Sequence, residues 1–165
     1  MVSPKFNNTL SYFTSEPNKI TDSIYIGAFN HSKNKKMLLE LGITHIVCAG
    51  KGLKCYYPDT FAYIKFEVED GDEADISVHF SDAFEFIDQA VAEGGKILIH
   101  CAAGVSRSAT IAISYFMQKK CLAYKEAYLL VKDARQQISP NSGFIKQLKE
   151  LEFKLQINEN KDDQT

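Results

Sequence analysis

Ile97-Leu98-Ile99-His100-Cys101-Ala102-Ala103-Gly104-Val105-Ser106-Arg107-Ser108-Ala109-Thr110-Ile111 is the stretch on which the reading of this chain turns. An apolar run at 97–99 leads into a loop of small residues, and a helical pattern leads out from Ser108 to Met117. A strand, a tight loop and a helix N-terminus in succession make an anion site, because the loop N–H groups turn inward and the helix dipole adds partial positive charge. Arg107 supplies a planar fork able to grip two oxygens of one phosphate. Cys101 lies at the floor of that cradle, in a field that favours thiolate over thiol. A thiolate aimed at a bound phosphate is a nucleophile for phosphoryl transfer.

The signal is specific for a chain with only two arginines, Arg107 and Arg135, against seventeen lysines. A buried structural cysteine at a strand end is the ordinary alternative. It leaves both the loop and Arg107 unexplained. A zinc site is not supported either: His100 and Cys101 are neighbours that point to opposite faces of a strand, and no Cys-x₂-Cys or His-x₃-His partner exists.

Outward from this stretch the elements alternate. A short strand is expected at 24–26, a helix at 30–41 stopped by Gly42, and strands at 43–47 and 61–68. Ile76, Phe80, Ala83, Phe84, Ile87, Ala90 and Val91 recur at helical spacing, with Asp75 or Ser77 as N-cap and Gly94-Gly95 as the stop. The run 97–99 is apolar on both faces, as a central strand is. The segment 109–117 is apolar nearly all round and reads as a buried helix. Two amphipathic helices follow at 124–137 and 142–157. This alternation predicts an α/β layer fold with a mostly parallel sheet. The site then lies beyond the carboxyl end of the central strand. Residues 1–18 read as an irregular N-terminal segment, 19–157 as the catalytic domain and 158–165 as a flexible tail.

Composition narrows the function classes. The chain has 165 residues, enough for one domain with a real core, and 45% hydrophobic content, ordinary for a globular protein. A net charge of −2 argues against nucleic-acid or membrane partners. The N-terminus lacks a signal-peptide core and has Val2 where myristoylation needs glycine. Cys48, Cys55, Cys101 and Cys121 show no framework spacing, so they read as free thiols of a reducing compartment. The expected location is the cytoplasm, with nuclear entry open at this mass. The expected state is a monomer.

The pattern His-Cys-x₅-Arg-Ser resembles the signature of the cysteine-dependent protein tyrosine phosphatases. The residues from Ala102 to Thr110 resemble the dual-specificity branch, above all the catalytic domains of MAP-kinase phosphatases. The resemblance extends to 20–27, 41–46, 66–70, Ile138-Ser139-Pro140-Asn141-Ser142-Gly143-Phe144 and Gln147-Leu148, and covers about residues 18–155. It implies the cysteine-phosphatase fold: a twisted, mostly parallel sheet of about five strands flanked by helices in three layers. It also implies a two-step reaction through a cysteinyl-phosphate, with no cofactor and no metal. Phosphate binding falls to Ala102, Ala103, Gly104, Val105, Ser106 and Arg107.

A carboxylic acid must protonate the leaving oxygen. Candidates cluster at Glu67, Glu69, Asp70, Asp72 and Glu73 in the loop after the 61–68 strand. In the resembling family the acid is an Asp after a Val-Glu pair, which selects Asp70, with Asp72 second. Ser108 reads as a helix cap; the resemblance adds a hydrogen bond from its hydroxyl to the cysteine sulfur. His100 reads as a supporting residue; by resemblance it orders the loop and helps depress the cysteine pKa. Arg135 reads as structural. Cys48, Cys55 and Cys121 read as core or surface thiols, with a resolving partner for Cys101 left open. Phe80, Phe84 and Phe86 read as core positions.

The loop carries no extra cation between Cys101 and Arg107, which counts against phosphoinositides, and Ser108-Ala109 departs from the Thr-Gly of RNA triphosphatases. The implied substrates are phosphorylated proteins, with phosphotyrosine and phosphoserine/phosphothreonine both admitted. A MAP kinase as substrate follows from the resemblance alone, since no docking element is found. Two other readings are carried: a phosphoprotein-binding module without turnover, and a phosphatase for RNA, glucan or inositol phosphate.

Overall fold

The computed structural model describes residues 15–155. Five strands form one sheet: β1 (Asn18–Lys19), β2 (Ile24–Ala28), β3 (His45–Ala49), β4 (Ala62–Phe66) and β5 (Ile97–Cys101), in the order β1-β2-β5-β3-β4. β5 lies at the centre, parallel to β2 and β3, and β4 is parallel to β3. Only β1 runs antiparallel, at the edge beside β2. Register puts Ile99 between Ile26 and Val47, and Cys101 opposite Ala28.

Among the described residues six helices complete the order: α1 (Phe29–Ser32), α2 (Lys35–Glu40), α3 (Phe80–Ala92), α4 (Arg107–Lys120), α5 (Tyr124–Ala134) and α6 (Ser142–Lys154). Side chains alternate across a strand, so β5 serves two cores. Ile97 and Ile99 join Ile26, Val47 and Phe66 in a large cluster with residues of α3, α4, α5 and α6. Leu98 joins Tyr25 and Ile46 in a smaller one with Met37, Leu38, Ile43 and Phe61. Three layers result. α4 is buried at every position from Ser108 to Met117, which accounts for its all-round apolar pattern.

The differences from the sequence reading are local. The single helix expected at 30–41 is two helices. Asn34 divides them, since its side chain accepts from Met37 N at 3.1 Å and caps α2. β3 starts two residues later than expected, because Ile43 N still bonds Leu38 O across the turn at Gly42. α3 is preceded by a 3₁₀ turn, Ser77–His79, and neither Asp75 nor Ser77 is the cap: Ile76 precedes the turn and His79 precedes α3, each without a side-chain cap bond, while Asp75 Oδ1 accepts from Ser77 N at 3.0 Å and Ser77 Oγ at 2.6 Å. β1 straddles the end of the segment read as irregular, with Asn18 inside it and Lys19 beyond it. Residues 1–14 of that segment, the tail at 158–165 and the last two residues of the 142–157 helix lie outside the described residues.

Candidate active site

Five consecutive loop carbonyls each have a donor outside the loop. Phe29 N donates to Ala102 O at 3.1 Å, Arg135 Nη2 to Ala103 O at 3.2 Å and Arg135 Nε to Gly104 O at 2.8 Å. Ser139 N donates to Val105 O at 2.8 Å, and Thr110 N to Ser106 O at 2.9 Å. With the carbonyls held outward, the N–H groups face the interior of the loop and make an anion nest. Gly104 makes this turn possible. It has φ +68°, and a Cβ there would stand 2.7 Å from both Gly27 O and Arg135 Nη2.

Cys101 ends β5 and is 2% exposed. Its Sγ accepts from Gly104 N at 3.2 Å and lies 3.2 Å from Ser108 Oγ. Ser108 is the second residue of α4, so it does not cap the helix as expected. Its hydroxyl is turned to the sulfur instead. Ser106 precedes the helix, but its hydroxyl accepts from Asn141 N at 3.0 Å. Arg107 opens α4; its Nη1 donates to Val68 O at 3.2 Å, while its buried Nε finds no acceptor among the described residues. A guanidinium with an orphaned buried donor beside a ring of amides is arranged for an oxyanion.

His100 is fully buried, and burial pushes its pKa down to about 4. The ring is therefore neutral at physiological pH, with Nδ1 3.2 Å from Cys101 O. It touches the loop through a hydrogen bond, and as a neutral ring it lends the cysteine no positive charge.

The carboxylates lie in the loop after β4, at the same sheet edge. Asp70 is exposed, and its Oδ1 accepts from Asn141 Nδ2 at 2.9 Å. Asp72 is turned to α6, with Oδ1 3.5 Å from Gly143 N. Glu67 is ion-paired with Lys65 and accepts from Gly52 N at 3.0 Å, and Glu69 is paired with Lys51 at 2.8 Å. Two links bind this loop to the phosphate cradle. One is Val68 through Arg107; the other is Asp70 through Asn141.

Asn141 is the functional residue that sequence reasoning missed. Its Oδ1 caps α6 by accepting from Phe144 N at 2.9 Å, its N–H holds Ser106 and its amide holds Asp70. The cap was legible in Asn141-Ser142-Gly143 before a helical pattern; the link to Asp70 was not. Arg135 is structural, as expected. Besides the loop carbonyls it holds Asn18 Oδ1 at 2.7 Å, which ties β1 to the site. Cys48 pairs in register with His100 rather than Cys101, and burial together with the neighbouring Cys55 pushes its thiol up to about 12. Cys121 is exposed at the far end of α4. Phe80 is buried in the large core, and Phe84 and Phe86 pack against it.

The arrangement combines a sulfur at the floor of an amide nest, a guanidinium with a spare donor and a carboxylate at the rim. The family model of the dual specificity phosphatase catalytic domain matches residues 24–154. "Dual specificity protein phosphatase 1B" of Arabidopsis thaliana is 40% identical over 140 residues, which cover 85% of this chain and 84% of that protein. "MAP kinase phosphatase with leucine-rich repeats protein 2" of Dictyostelium discoideum is 40% identical over 149 residues, covering 90% of this chain but 21% of that protein. The solved human "tyrosine phosphatase-like serine/threonine/tyrosine-interacting protein" superposes with a TM-score of 0.80 at 33% identity, over 84% of this chain and 96% of that one. The chain belongs to the dual specificity phosphatase family, whose reaction is the dephosphorylation of tyrosine and of serine/threonine in proteins.

Proposed function

We propose that Cys101 is the nucleophile of this phosphatase and that Asp70 is its general acid. The observation that carries this reading is the Cys101 sulfur at the centre of a loop whose five carbonyls are all held outward. The thiolate attacks phosphorus in line, forming the S–P bond as the bond to the substrate oxygen breaks. Asp70 gives that oxygen its proton. The amides of Ala102, Ala103, Gly104, Val105 and Ser106, with Arg107, hold the equatorial oxygens and stabilise charge in the transition state. Water then attacks phosphorus, Asp70 takes its proton, and the S–P bond breaks to restore the thiolate. Ser108 eases that departure by donating to the sulfur. His100 orders the loop. The positive field comes from amides and guanidinium, so the chemistry needs no metal.

Phosphoproteins of both kinds belong to this reading, and a MAP-kinase-type substrate is supported by the names of several relatives. A signalling role, a cytoplasmic location and a monomeric state belong to the same proposal.

The test is hydrolysis of p-nitrophenyl phosphate with EDTA present. Wild type is expected to turn over, and Cys101→Ser to lose turnover by about 10³-fold or more while still binding a phosphate analogue. Asp70→Asn is expected to slow aryl phosphates with poor leaving groups by about 10²-fold and good ones much less. A Cys101→Ser enzyme that retains activity overturns the nucleophile, and the same leaving-group pattern in Asp72→Asn instead transfers the acid role to Asp72.

A further inference from the structure

The end of α1 and the segment after β3 carry cations that the chemistry above does not use. α1 leaves β2 beside the phosphate loop, where Phe29 N donates to Ala102 O. The segment after β3 passes Gly50, where a Cβ would stand 2.9 Å from Arg107 Nη1, and then runs outward through residues 51–60. The two pieces meet where Tyr57 Oη donates to Lys33 O. At this junction Lys33 Nζ lies 5.3 Å from the Phe29 ring centre and 5.8 Å from that of Tyr56. Lys54 Nζ approaches the same Tyr56 ring at 5.5 Å, so two ammonium groups share one aromatic ring.

Both lysines are exposed, and neither has a carboxylate within 4 Å among the described residues. Asp59, the carboxylate of the 51–60 segment, makes no ion pair with either. Lys35 Nζ, 5.5 Å from the Tyr57 ring centre, is a third cation there with no ion pair among the described residues, whereas Lys51 is neutralised by Glu69 and Lys65 by Glu67. The site is therefore polarised. Lys33 and Lys54 stand unpaired on one side, and Asp70, Asp72 and Glu73 line the loop after β4. Ring contacts attract an ammonium weakly and leave its charge available to an anion. Two like charges gathered on one ring repel, and a bound anion relieves that repulsion.

We propose that Lys33 and Lys54, gathered on Tyr56 beside the phosphate loop, form a second anion subsite that selects phosphoproteins with an anionic side chain flanking the phosphorylated residue. The inference rests on the phosphatase reading above and adds a basis for substrate choice. The flanking group is Asp, Glu or a second phosphorylated residue of the same polypeptide. Its contact is made on binding and is retained in the transition state, so it lowers KM and leaves kcat little changed.

The test compares phosphotyrosine peptides of one sequence whose flanks carry Asp, phosphoserine or Asn, with wild type and with Lys33→Gln, Lys54→Gln and the double variant. p-Nitrophenyl phosphate serves as the flank-free control. Wild type is expected to prefer anionic flanks by about threefold to tenfold in kcat/KM, mostly through KM, as exposed charge pairs of this kind provide. The preference is expected to shrink as salt rises and to vanish in the double variant, with the control unchanged. Equal kcat/KM for Asp, phosphoserine and Asn flanks in wild type overturns the subsite, as does a preference that survives the double variant. A preference for phosphoserine over Asp identifies a second phosphate as the ligand. Failure of wild type to hydrolyse the control defeats the phosphatase reading itself, and so is distinct from failure of the subsite.

Discussion

Asn141 shows how much one side chain can carry when its three polar groups face three elements. Its carbonyl oxygen caps α6, its backbone N–H holds Ser106 and its amide N–H holds Asp70. Substitution separates these tasks. Asn141→Ser retains an N-cap oxygen but has no group long enough to reach Asp70, so stability is expected to hold while kcat on poor leaving groups falls about tenfold. Asn141→Ala is expected to lose the cap as well, at a cost of about 1 kcal/mol. Thermal melts beside leaving-group kinetics separate the two effects; unchanged kinetics in Asn141→Ser would mean that Asp70 holds its place without Asn141. Gly143 adds to the fit, because a Cβ there would stand 2.0 Å from Asp72 O and push the acid loop away. Neither consequence can be read from Asn141-Ser142-Gly143 as letters, since Asp70 and Asp72 are some seventy residues away.

At the scale of elements, α4 links chemistry to core. Its first turn presents Arg107 and Ser108 to the site, and its buried run to Met117 fixes that turn against the sheet and three other helices. The helix ends at Cys121, which has φ 52° and is the one non-glycine residue with positive φ among those described. A left-handed C-terminal position favours glycine, because a Cβ crowds the backbone there. Cys121→Gly is therefore expected to stabilise the protein by about 0.5–1 kcal/mol in urea unfolding, with turnover unchanged; a destabilised variant would show that the thiol packs usefully where it stands. Periodicity located α3, α4, α5 and α6 because each has a long apolar stripe. It failed at 30–41, where a cap in mid-pattern outweighs the stripe, and at β1, whose two residues are too few to show alternation.

Across the whole molecule, the cradle is stabilised by groups that must stay uncharged. His31 and His100 are buried behind it, and burial pushes each ring down to about 4 from an ordinary 6.5, with the nearby Arg135 lowering His31 further. His31 Nδ1 accepts from Ala28 N at 2.9 Å, a bond that a protonated ring cannot make. In the unfolded chain both rings take up protons near pH 6.5, whereas in the folded one they do so only near 4. The unfolded state then binds more protons, so stability falls as pH drops from about 6.5 towards 4. Each ring is expected to remove up to about 2 kcal/mol between pH 7 and pH 5. Urea midpoints at the two pH values check this, and a flat response in wild type, or the same slope in His100→Asn, would count against it.

Order along the chain determined the strand, loop and helix around Cys101, because a run of small residues between an apolar strand and a buried helix permits one local solution. It also determined the parallel sheet and the family, since both follow from patterns within short windows. Tertiary structure alone decided which distant groups hold the loop open. Arg135 reaches Ala103, Gly104 and Asn18, Phe29 reaches Ala102, Asn141 reaches Asp70, and Lys33 meets Tyr56. Each of these contacts joins segments brought together by burial of the two cores, and hydrophobic burial is non-directional. Pattern tells which faces are buried, but which polar groups then meet at the rim depends on the packed arrangement as a whole.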